Sequence, residues 1–365
     1  MNWTDFICAH VHPMAPYVAG MREEQVCEIA GTDDLVKVSS NESPFPPFQS
    51  AQDAGAQVLD GLNRYPDGGS NELKEKLSSR LGVSSENIVI GNGSNELLIL
   101  LAYATLGASD EIAYGWPSFI VYPLMSQLTG ATAVQVLLGE DEVFDLNAIL
   151  AAITPATKLV VLCNPNNPTG TYYTHEQFAA FMDAVPNHVL VVVDEAYFEF
   201  ATNPDYPDAL EWFDGERPLC VLRTFSKAYS MAGARCGYAI MPRDLICALD
   251  KVRAPFNINI VAQAMAQASL DDQCELDRRV AANAEQRERL QEAFERLDIA
   301  YVPSQTNFMW IQVSSSSKVF DELLKKGIIV RSFGQGGALR VGVGSPDETT
   351  RIIEAFEQLN DEGII

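Results

Sequence analysis

The 365-residue sequence has few basic residues and no long apolar run. Lysine and arginine number 25 against 49 aspartates and glutamates, which gives a formal net charge of -24. Nucleic acids and anionic membranes are polyanions, so this charge argues against both as partners. Because no apolar run reaches the length needed to span a bilayer, the sequence predicts no transmembrane helix.

Cysteine and histidine are also sparse, and their spacing excludes two classes of site. The seven cysteines contain no Cys-x-x-Cys pair and their number is odd, which favours buried thiols in a reducing compartment over a disulfide framework. His10 and His12 have no supporting cysteine or carboxylate pattern, so we expect no metal site there. The opening MNWTDFICAH lacks a basic stretch and a long apolar core. We therefore expect no secretion signal and predict a soluble, cytoplasmic protein.

Apolar segments of strand length alternate with helical segments over the first two thirds of the chain. Strands are predicted at NIVI, EIAYGWPSF, ATAVQVLL, KLVVLC, HVLVVV, PLCVLR and RCGYAIM. Apolar strands that alternate with helices indicate an α/β fold with a mostly parallel sheet covered on both faces. From about residue 250 long charged helices precede two more strands, FMWIQV and ALRVGVG. We predict an extended arm at 1–45 joining the small domain, a large domain at 46–250 and a smaller α+β domain at 251–365.

Polar residues follow several predicted strands, and ligands of such sheets collect at the carboxyl ends of the strands. After NIVI, Gly93 lies in a turn before a helix that starts near Asn95, and free N–H groups there favour an anion. NPNNPTG, Asn164–Gly170, follows KLVVLC. Asp194 follows HVLVVV, where a partly desolvated carboxylate needs a donor or a cation. Each signal alone also fits a plain turn, a helix cap or a structural ion pair.

The segment LRTFSKAYSMAGARCGY adds Thr224, Ser226, Lys227 and Arg235 just beyond another strand. If the strands lie side by side, one crevice holds an anion cradle, an amide, a carboxylate, two hydroxyls, a lysine and an arginine. Pyridoxal 5'-phosphate (PLP) fits this set, since its aldehyde forms a Schiff base with lysine and its ring nitrogen pairs with a carboxylate. Hydroxyls, a helix N-terminus and a guanidinium suit its phosphate. We expect Lys227 to have a lowered pKa and a neutral, reactive amine.

Eight segments together carry a family resemblance. In chain order they are SNESPFP, RYPD, GNGSNE, PSF, NPNNPTG, DEAYFEF, TFSKAYSMAGARCGY and LRVGVG. From about Pro16 to Val343 the chain resembles the fold-type I aminotransferases, and most closely the histidinol-phosphate aminotransferases. The resemblance implies PLP-dependent transamination with ping-pong kinetics, in a homodimer whose subunits share their active sites.

The resemblance also implies roles for individual residues. Lys227 would hold PLP and then move the substrate's α-proton, and Asp194 would pair with the pyridinium. Phe119 would stack on the ring, while Asn167 and Tyr197 would contact its phenolic oxygen. The other implied cofactor-binding residues hold the phosphate and are Ser94, Asn95, Thr224, Ser226, Arg235 and, from the neighbouring subunit, Tyr65.

The implied substrate contacts are Tyr17, Asn41, Arg331 and Arg340. The two arginines lie nine residues apart on separate predicted strands, so both can lie at the entrance of one substrate-binding site. In a chain of charge -24 such convergence favours an anionic substrate. We favour L-histidinol phosphate as amino donor and 2-oxoglutarate as acceptor, giving imidazole acetol phosphate and glutamate.

Three alternatives stay open at this point. Close relatives accept aromatic amino acids, which the same arginines can serve. A threonine-phosphate decarboxylase shares the fold and cofactor, although such enzymes usually have threonine where this chain has Ser226. A non-catalytic regulator on this fold normally carries a DNA-binding domain, which the roughly forty residues before the core and the negative charge disfavour. NESP stands where NENP is usual, so the contacts of Ser43 stay open as well.

Overall fold

The computed structural model describes residues 3–16, 21–334 and 337–365. Its α-helices are α1 (Glu23–Ala30), α2 (Gln49–Gln57), α3 (Asn71–Leu81), α4 (Ser94–Thr105), α5 (Val121–Thr129), α6 (Leu146–Ala152), α7 (His175–Ala184), α8 (Arg243–Val252), α9 (Ile260–Asp271), α10 (Gln273–Arg296), α11 (Ser316–Lys325) and α12 (Pro346–Asp361). Its strands are β1 (Val36–Lys37), β2 (Ile88–Gly91), β3 (Glu111–Trp116), β4 (Thr132–Leu137), β5 (Thr157–Cys163), β6 (Leu190–Asp194), β7 (Leu219–Thr224), β8 (Gly237–Ile240), β9 (Ala300–Val302), β10 (Phe308–Gln312), β11 (Ile328–Ile329), β12 (Arg331–Ser332) and β13 (Ala338–Gly342). Within the described ranges, no helix combines the length and apolar character that crossing a membrane requires.

A seven-stranded sheet organises the larger part of the chain, in the order β2-β8-β7-β6-β5-β3-β4. Strands β7, β6, β5, β3 and β4 are parallel, and β8 runs antiparallel to its neighbours β2 and β7. The central strands are buried on both faces, and every residue of β7 is buried. Helices that cover both faces of a parallel sheet produce this burial. The prediction of a mostly parallel α/β sheet is confirmed.

The strand ends meet at one edge of this sheet. Asp194, the last residue of β6, is in register with Cys163, the last residue of β5. Gly237 at the start of β8 pairs with Thr224 on one side and with Gly91 on the other. The last residues of β2, β7, β6 and β5 and the first residue of β8 therefore lie along the carboxyl edge of the sheet, where open α/β sheets bind ligands.

The C-terminal part contains a four-stranded antiparallel sheet in the order β12-β13-β10-β9. Apolar side chains of α10, α11 and α12 form a separate core with this sheet. The segment that we expected to be extended contains helix α1, because Val26 on that helix packs against Leu324 and Ile329. Strand β1 pairs in parallel with β11. The division into three parts at residues 45 and 250 stays a prediction.

Phe356 tests the packing of the smaller core. Its side chain is fully buried, and its ring lies edge-on to Phe294 with the centroids 5.3 Å apart. We expect Phe356→Ala to lower the free energy of unfolding by about 3–5 kcal/mol, because it leaves a cavity. Leu137 is 75% exposed, so Leu137→Ala should change that free energy by less than about 0.5 kcal/mol. Chemical denaturation followed by circular dichroism measures both, and equal losses would contradict the packing.

Candidate active site

Glycines allow three segments to approach closely at the edge of the large sheet. Helix α4 begins at Ser94, so the backbone N–H groups of its first turn, including that of Asn95, have no partner within the helix. A Cβ atom on Gly93 would overlap the guanidinium of Arg235, and one on Gly237 would overlap the backbone nitrogen of Ser94. The close approach places a helix N-terminus beside a guanidinium, and this pairing suits an anion.

Two hydroxyls complete this cradle. The Thr224 hydroxyl donates to Ser226 Oγ at 3.1 Å and accepts from the Ser226 backbone nitrogen at 3.2 Å. Arg235 Nη1 lies 3.5 Å from Ser226 Oγ. Backbone N–H groups, hydroxyls and a guanidinium are the donors that bind a phosphate dianion. The structure thus brings the predicted phosphate-binding residues of one chain together.

Lys227 lies beside the cradle and points its amine at the N-terminal arm. Its Nζ donates to the backbone oxygens of Asn41 at 3.1 Å and Ser40 at 3.3 Å. Burial lowers the pKa of Lys227 to about 8, and the positive charge of Arg340 acts in the same direction. An amine with this pKa is largely neutral just above pH 8, which is the nucleophilic form.

Asp194 is buried with one oxygen satisfied and one not. Its Oδ2 accepts a hydrogen bond of 2.9 Å from the hydroxyl of Tyr122, whereas Oδ1 finds no partner among the residues that the structure describes. Burial raises the pKa of Asp194 to about 6, although the Tyr122 hydrogen bond and Lys227 oppose this rise. An unpaired buried carboxylate oxygen is costly, so the geometry suits a cationic N–H donor.

Tyr122 was missed in the sequence analysis. It lies on α5, and its ring meets that of Phe119 edge-on, with the centroids 5.9 Å apart. The signal available in the sequence was the spacing of three residues, which puts two aromatic residues on neighbouring positions of a helical turn. Phe119 itself is partly buried at the end of the PSF motif.

Arg340 connects the small sheet to the edge of the large one. Its Nη1 donates to Asn167 Oδ1 and its Nη2 to the backbone oxygen of Ser39, both at 2.5 Å. Tyr197 is buried next to this contact, and its hydroxyl accepts a hydrogen bond of 2.8 Å from Asn41 Nδ2. Burial raises the pKa of Tyr197, so its hydroxyl is protonated and can donate.

The two arginines predicted to meet substrate are direct neighbours across strands. Arg331 on β12 is in register with Arg340 on β13, and Arg340 is in register with Trp310 on β10. Residues in register on adjacent antiparallel strands share a face of the sheet. Trp310, whose ring lies edge-on to Phe333 at 4.9 Å, was missed because no motif marks it. The row Trp310, Arg340 and Arg331 therefore forms one surface.

One predicted site residue, Tyr65, is not joined to the others in this chain, and a second cannot be placed. Tyr65 is 80% exposed and stacks on Phe256, with the ring centroids 4.6 Å apart. An exposed tyrosine of this kind is what a contact with a neighbouring subunit requires. Tyr17 lies outside the described residues.

Comparison with known proteins identifies the family. Residues 33–356 match the family described as aminotransferase class I and II. The chain belongs to this family. It is a PLP-dependent aminotransferase.

Curated relatives of this aminotransferase have two kinds of names. The histidinol-phosphate aminotransferase of Akkermansia muciniphila is 39% identical over 364 residues, covering 98% of this chain and 100% of the relative. The aromatic amino acid aminotransferase of Nocardia farcinica is 45% identical over 317 residues, covering 86% of this chain and 88% of the relative.

A solved structure agrees with the fold. Histidinol-phosphate aminotransferase from Sinorhizobium meliloti, in complex with pyridoxal 5'-phosphate, superposes with a TM-score of 0.89. The identity is 28%, and the match covers 98% of each chain. The fold-type I architecture of this aminotransferase is thereby confirmed.

The residues present fit PLP in three independent respects. Asp194 Oδ1 is a buried acceptor that lacks a donor within the described part of the chain. The cradle at Gly93 and Gly237 has room for backbone but not for side chains. Lys227 supplies an amine whose pKa lies near 8. A ring cation, a phosphate and an aldehyde would satisfy these three features together.

The contact between Tyr122 and Asp194 can be tested directly. We expect Tyr122→Phe to raise the pKa of Asp194 by about one unit, because the charged carboxylate loses a hydrogen bond. The protonated fraction at pH 6 to 7 then increases. Infrared titration of the carboxyl band in the cofactor-free protein, assigned with Asp194→Asn, measures this shift.

Tyr114→Phe is the matched control for that titration. Tyr114 is equally buried, but its hydroxyl accepts from Gln135 Nε2 at 3.1 Å. The control should leave the Asp194 band unchanged. An equal shift in both variants would refute a specific role for the Tyr122 hydroxyl.

Proposed function

We propose that the protein transfers the amino group of L-histidinol phosphate to 2-oxoglutarate, forming imidazole acetol phosphate and glutamate. The observation that carries this proposal is the register of Arg331 with Arg340. Two guanidiniums that are paired across neighbouring strands on one sheet face repel each other unless an anion lies between or beside them. Both proposed substrates are anions, with a phosphate in one and two carboxylates in the other. The names of relatives at about 40% identity support the same substrate.

The cofactor contacts are proposed from the same geometry. Lys227 would bind the aldehyde of PLP and Asp194 Oδ1 the ring nitrogen. Phe119 would cover the ring, and Asn167 and Tyr197 would donate to its phenolic oxygen. The phosphate would be held by the remaining group, which is Ser94, Asn95, Thr224, Ser226, Arg235 and Tyr65 of a second subunit.

The chemistry divides between the cofactor and this chain's own side chains. When bound, PLP withdraws electrons from the substrate carbon that carries the amino group. Lys227 Nζ has a pKa of about 8 and is therefore mostly neutral above pH 8. It is the base that takes the proton from that carbon and returns it. Asp194 keeps a negative charge beside the ring nitrogen, and Tyr122 holds that carboxylate in place. Arg340 and Arg331 bind the anionic end of each substrate in turn.

An aromatic amino acid as donor is the second candidate. Phe333 is 41% exposed and lies against Trp310 beside the two arginines. This aromatic pair would suit a phenyl or indole side chain as well as an imidazole. The relative from Nocardia farcinica supports the alternative.

A donor panel separates these candidates. The enzyme with PLP is mixed with 2-oxoglutarate and with L-histidinol phosphate, phenylalanine, tyrosine or O-phosphothreonine, and glutamate is measured. We expect kcat/KM for histidinol phosphate to exceed that for phenylalanine at least about tenfold, because charge-assisted hydrogen bonds to phosphate are worth about 1.5–3 kcal/mol. Lys227→Ala should form no glutamate with any donor. Activity with phenylalanine but none with histidinol phosphate would reject the proposed substrate, and carbon dioxide from O-phosphothreonine would indicate a decarboxylase.

We also infer a homodimer with shared active sites, in the cytoplasm. Tyr65 and Phe256 are exposed and stack on each other, and Leu62, three residues before Tyr65, is exposed as well. Contiguous exposed apolar residues favour an interface. All seven cysteines are free thiols, which supports a reducing compartment.

Subunit mixing tests the shared site. Tyr65→Ala and Lys227→Ala should each be nearly inactive. If Tyr65 serves the neighbouring subunit, a hybrid dimer contains one intact site, so refolded mixtures should recover up to about a quarter of wild-type activity. If Tyr65 serves its own chain, every site in the hybrid is defective and no activity returns. A monomeric mass by light scattering would also contradict the proposal.

A further inference from the structure

Asn41 contacts both Tyr197 and Lys227, two residues of the proposed active site. Its side-chain nitrogen donates to the Tyr197 hydroxyl at 2.8 Å, and its backbone oxygen accepts from Lys227 Nζ at 3.1 Å. Asn307 Nδ2 also donates to this backbone oxygen, at 3.2 Å. Asn41 is only 2% exposed. One buried residue of the arm therefore contacts both the candidate base and the candidate phenol.

The backbone at Asn41 explains why this position carries asparagine. Its φ is 55°, in the left-handed region that asparagine tolerates better than most residues other than glycine. Most other side chains would be strained at this φ, because their Cβ atoms crowd the backbone in the left-handed region. The conformation holds the amide against Tyr197 while the carbonyl faces Lys227.

The direction of the hydrogen bond between Asn41 and Tyr197 determines whether the Tyr197 hydroxyl is free to donate its proton to another acceptor. A phenolic hydroxyl has one proton and two lone pairs, and the asparagine Nδ2 can only donate. When a lone pair of Tyr197 accepts from Asn41, the hydroxyl proton is directed to another acceptor. Tyr197 is 3% exposed, and its ring packs edge-on against Phe308 with the centroids 5.1 Å apart, so it has little freedom to turn away.

We propose that Asn41 is a positioning residue that makes the Tyr197 hydroxyl a donor toward the phenolic oxygen of PLP. The inference rests on the proposed contact between Tyr197 and the cofactor. It assigns the amide of Asn41 to Tyr197, whereas the family resemblance implied a contact with substrate. Asn41 would then act on the cofactor through Tyr197.

The test uses the pH midpoint of the visible absorption band of the PLP-bound enzyme, measured without substrate. A hydrogen bond donated to the phenolic oxygen withdraws electron density and lowers the proton affinity of the bound chromophore. Tyr197→Phe should therefore raise the midpoint. Asn41→Gly should raise it by about 0.5–1 pH unit, the equivalent of one neutral hydrogen bond. Glycine fits the positive φ, so this variant removes the amide without adding backbone strain.

A double-mutant cycle shows whether Asn41 acts through Tyr197. In the Tyr197→Phe background, Asn41→Gly should shift the midpoint by less than about a third of its effect in the wild type, because coupled residues are not additive. Asn41→Asp keeps the shape of the side chain but can only accept. Its carboxylate should accept the hydrogen bond that the Tyr197 hydroxyl donates. The midpoint should then rise at least as far as in Asn41→Gly.

Ser43→Ala is the control for general disturbance of the arm. Ser43 Oγ accepts from Ser230 Oγ at 2.7 Å and belongs to the same segment, so its loss should leave the midpoint unchanged. Equal shifts of Asn41→Gly in both backgrounds, or no shift in either, would overturn the inference. A Tyr197→Phe variant with no shift would instead reject the proposed contact of Tyr197 with PLP, and the donor panel is independent of both results.

Discussion

The half-satisfied carboxylate of Asp194 is the constraint on which the site depends. Burial at the end of β6 raises its pKa to about 6, although hydrogen-bonding and charged partners stabilise the ionised form. Tyr122 provides one such partner from α5, at a separation of 72 residues along the chain. The second oxygen has none within the described residues. A protein that buries one unpaired acceptor in this way gains most from a ligand that brings a cationic donor.

Three cationic side chains also contribute to the charge of the site. Burial lowers the pKa of Lys227, and the positive charges of Arg340 and Arg235 act in the same direction. This positive cluster lies in a chain of net charge -24. Local positive potential attracts anions at that point, whereas the net negative charge of the rest of the chain repels them. A cofactor phosphate and an anionic substrate both meet that condition.

Much of this arrangement was predictable because it depends on strand order. Alternating apolar strands and helices indicate a parallel sheet, and a parallel sheet places the residues after its strands at one edge. Asp194 and Thr224 are the last residues of β6 and β7, and Lys227 lies in the loop just after β7, so their meeting required no knowledge of packing. Helix α1 was wrongly expected to be extended, since its packing against Leu324 depends on a residue 298 positions from Val26.

Contacts that depend on how elements pack were not predictable. The bond from Tyr122 to Asp194 requires the exact tilt of α5 against the sheet, and no pattern in VYPLMSQLT distinguishes a ligand from a core tyrosine. The amide of Asn41 reaches Tyr197 over 156 positions. Trp310 shares a sheet face with Arg340 and Arg331 only through strand register, and a shift of one residue would have placed it on the opposite face.

The side chains that alternate with the site residues explain how the edge is kept rigid. Neighbouring residues of an extended segment point in opposite directions, so Glu195 and Arg223 project away from the side chains of Asp194 and Thr224. Arg223 Nε donates to Glu195 Oε2 at 2.8 Å, and its Nη2 donates to Asp208 at 2.6 Å. Loss of one partner of such a buried pair typically costs about 3–5 kcal/mol. The ion pair thus joins the ends of β6 and β7 on the side opposite the Asp194 and Thr224 side chains, and it restrains the backbone that carries Asp194.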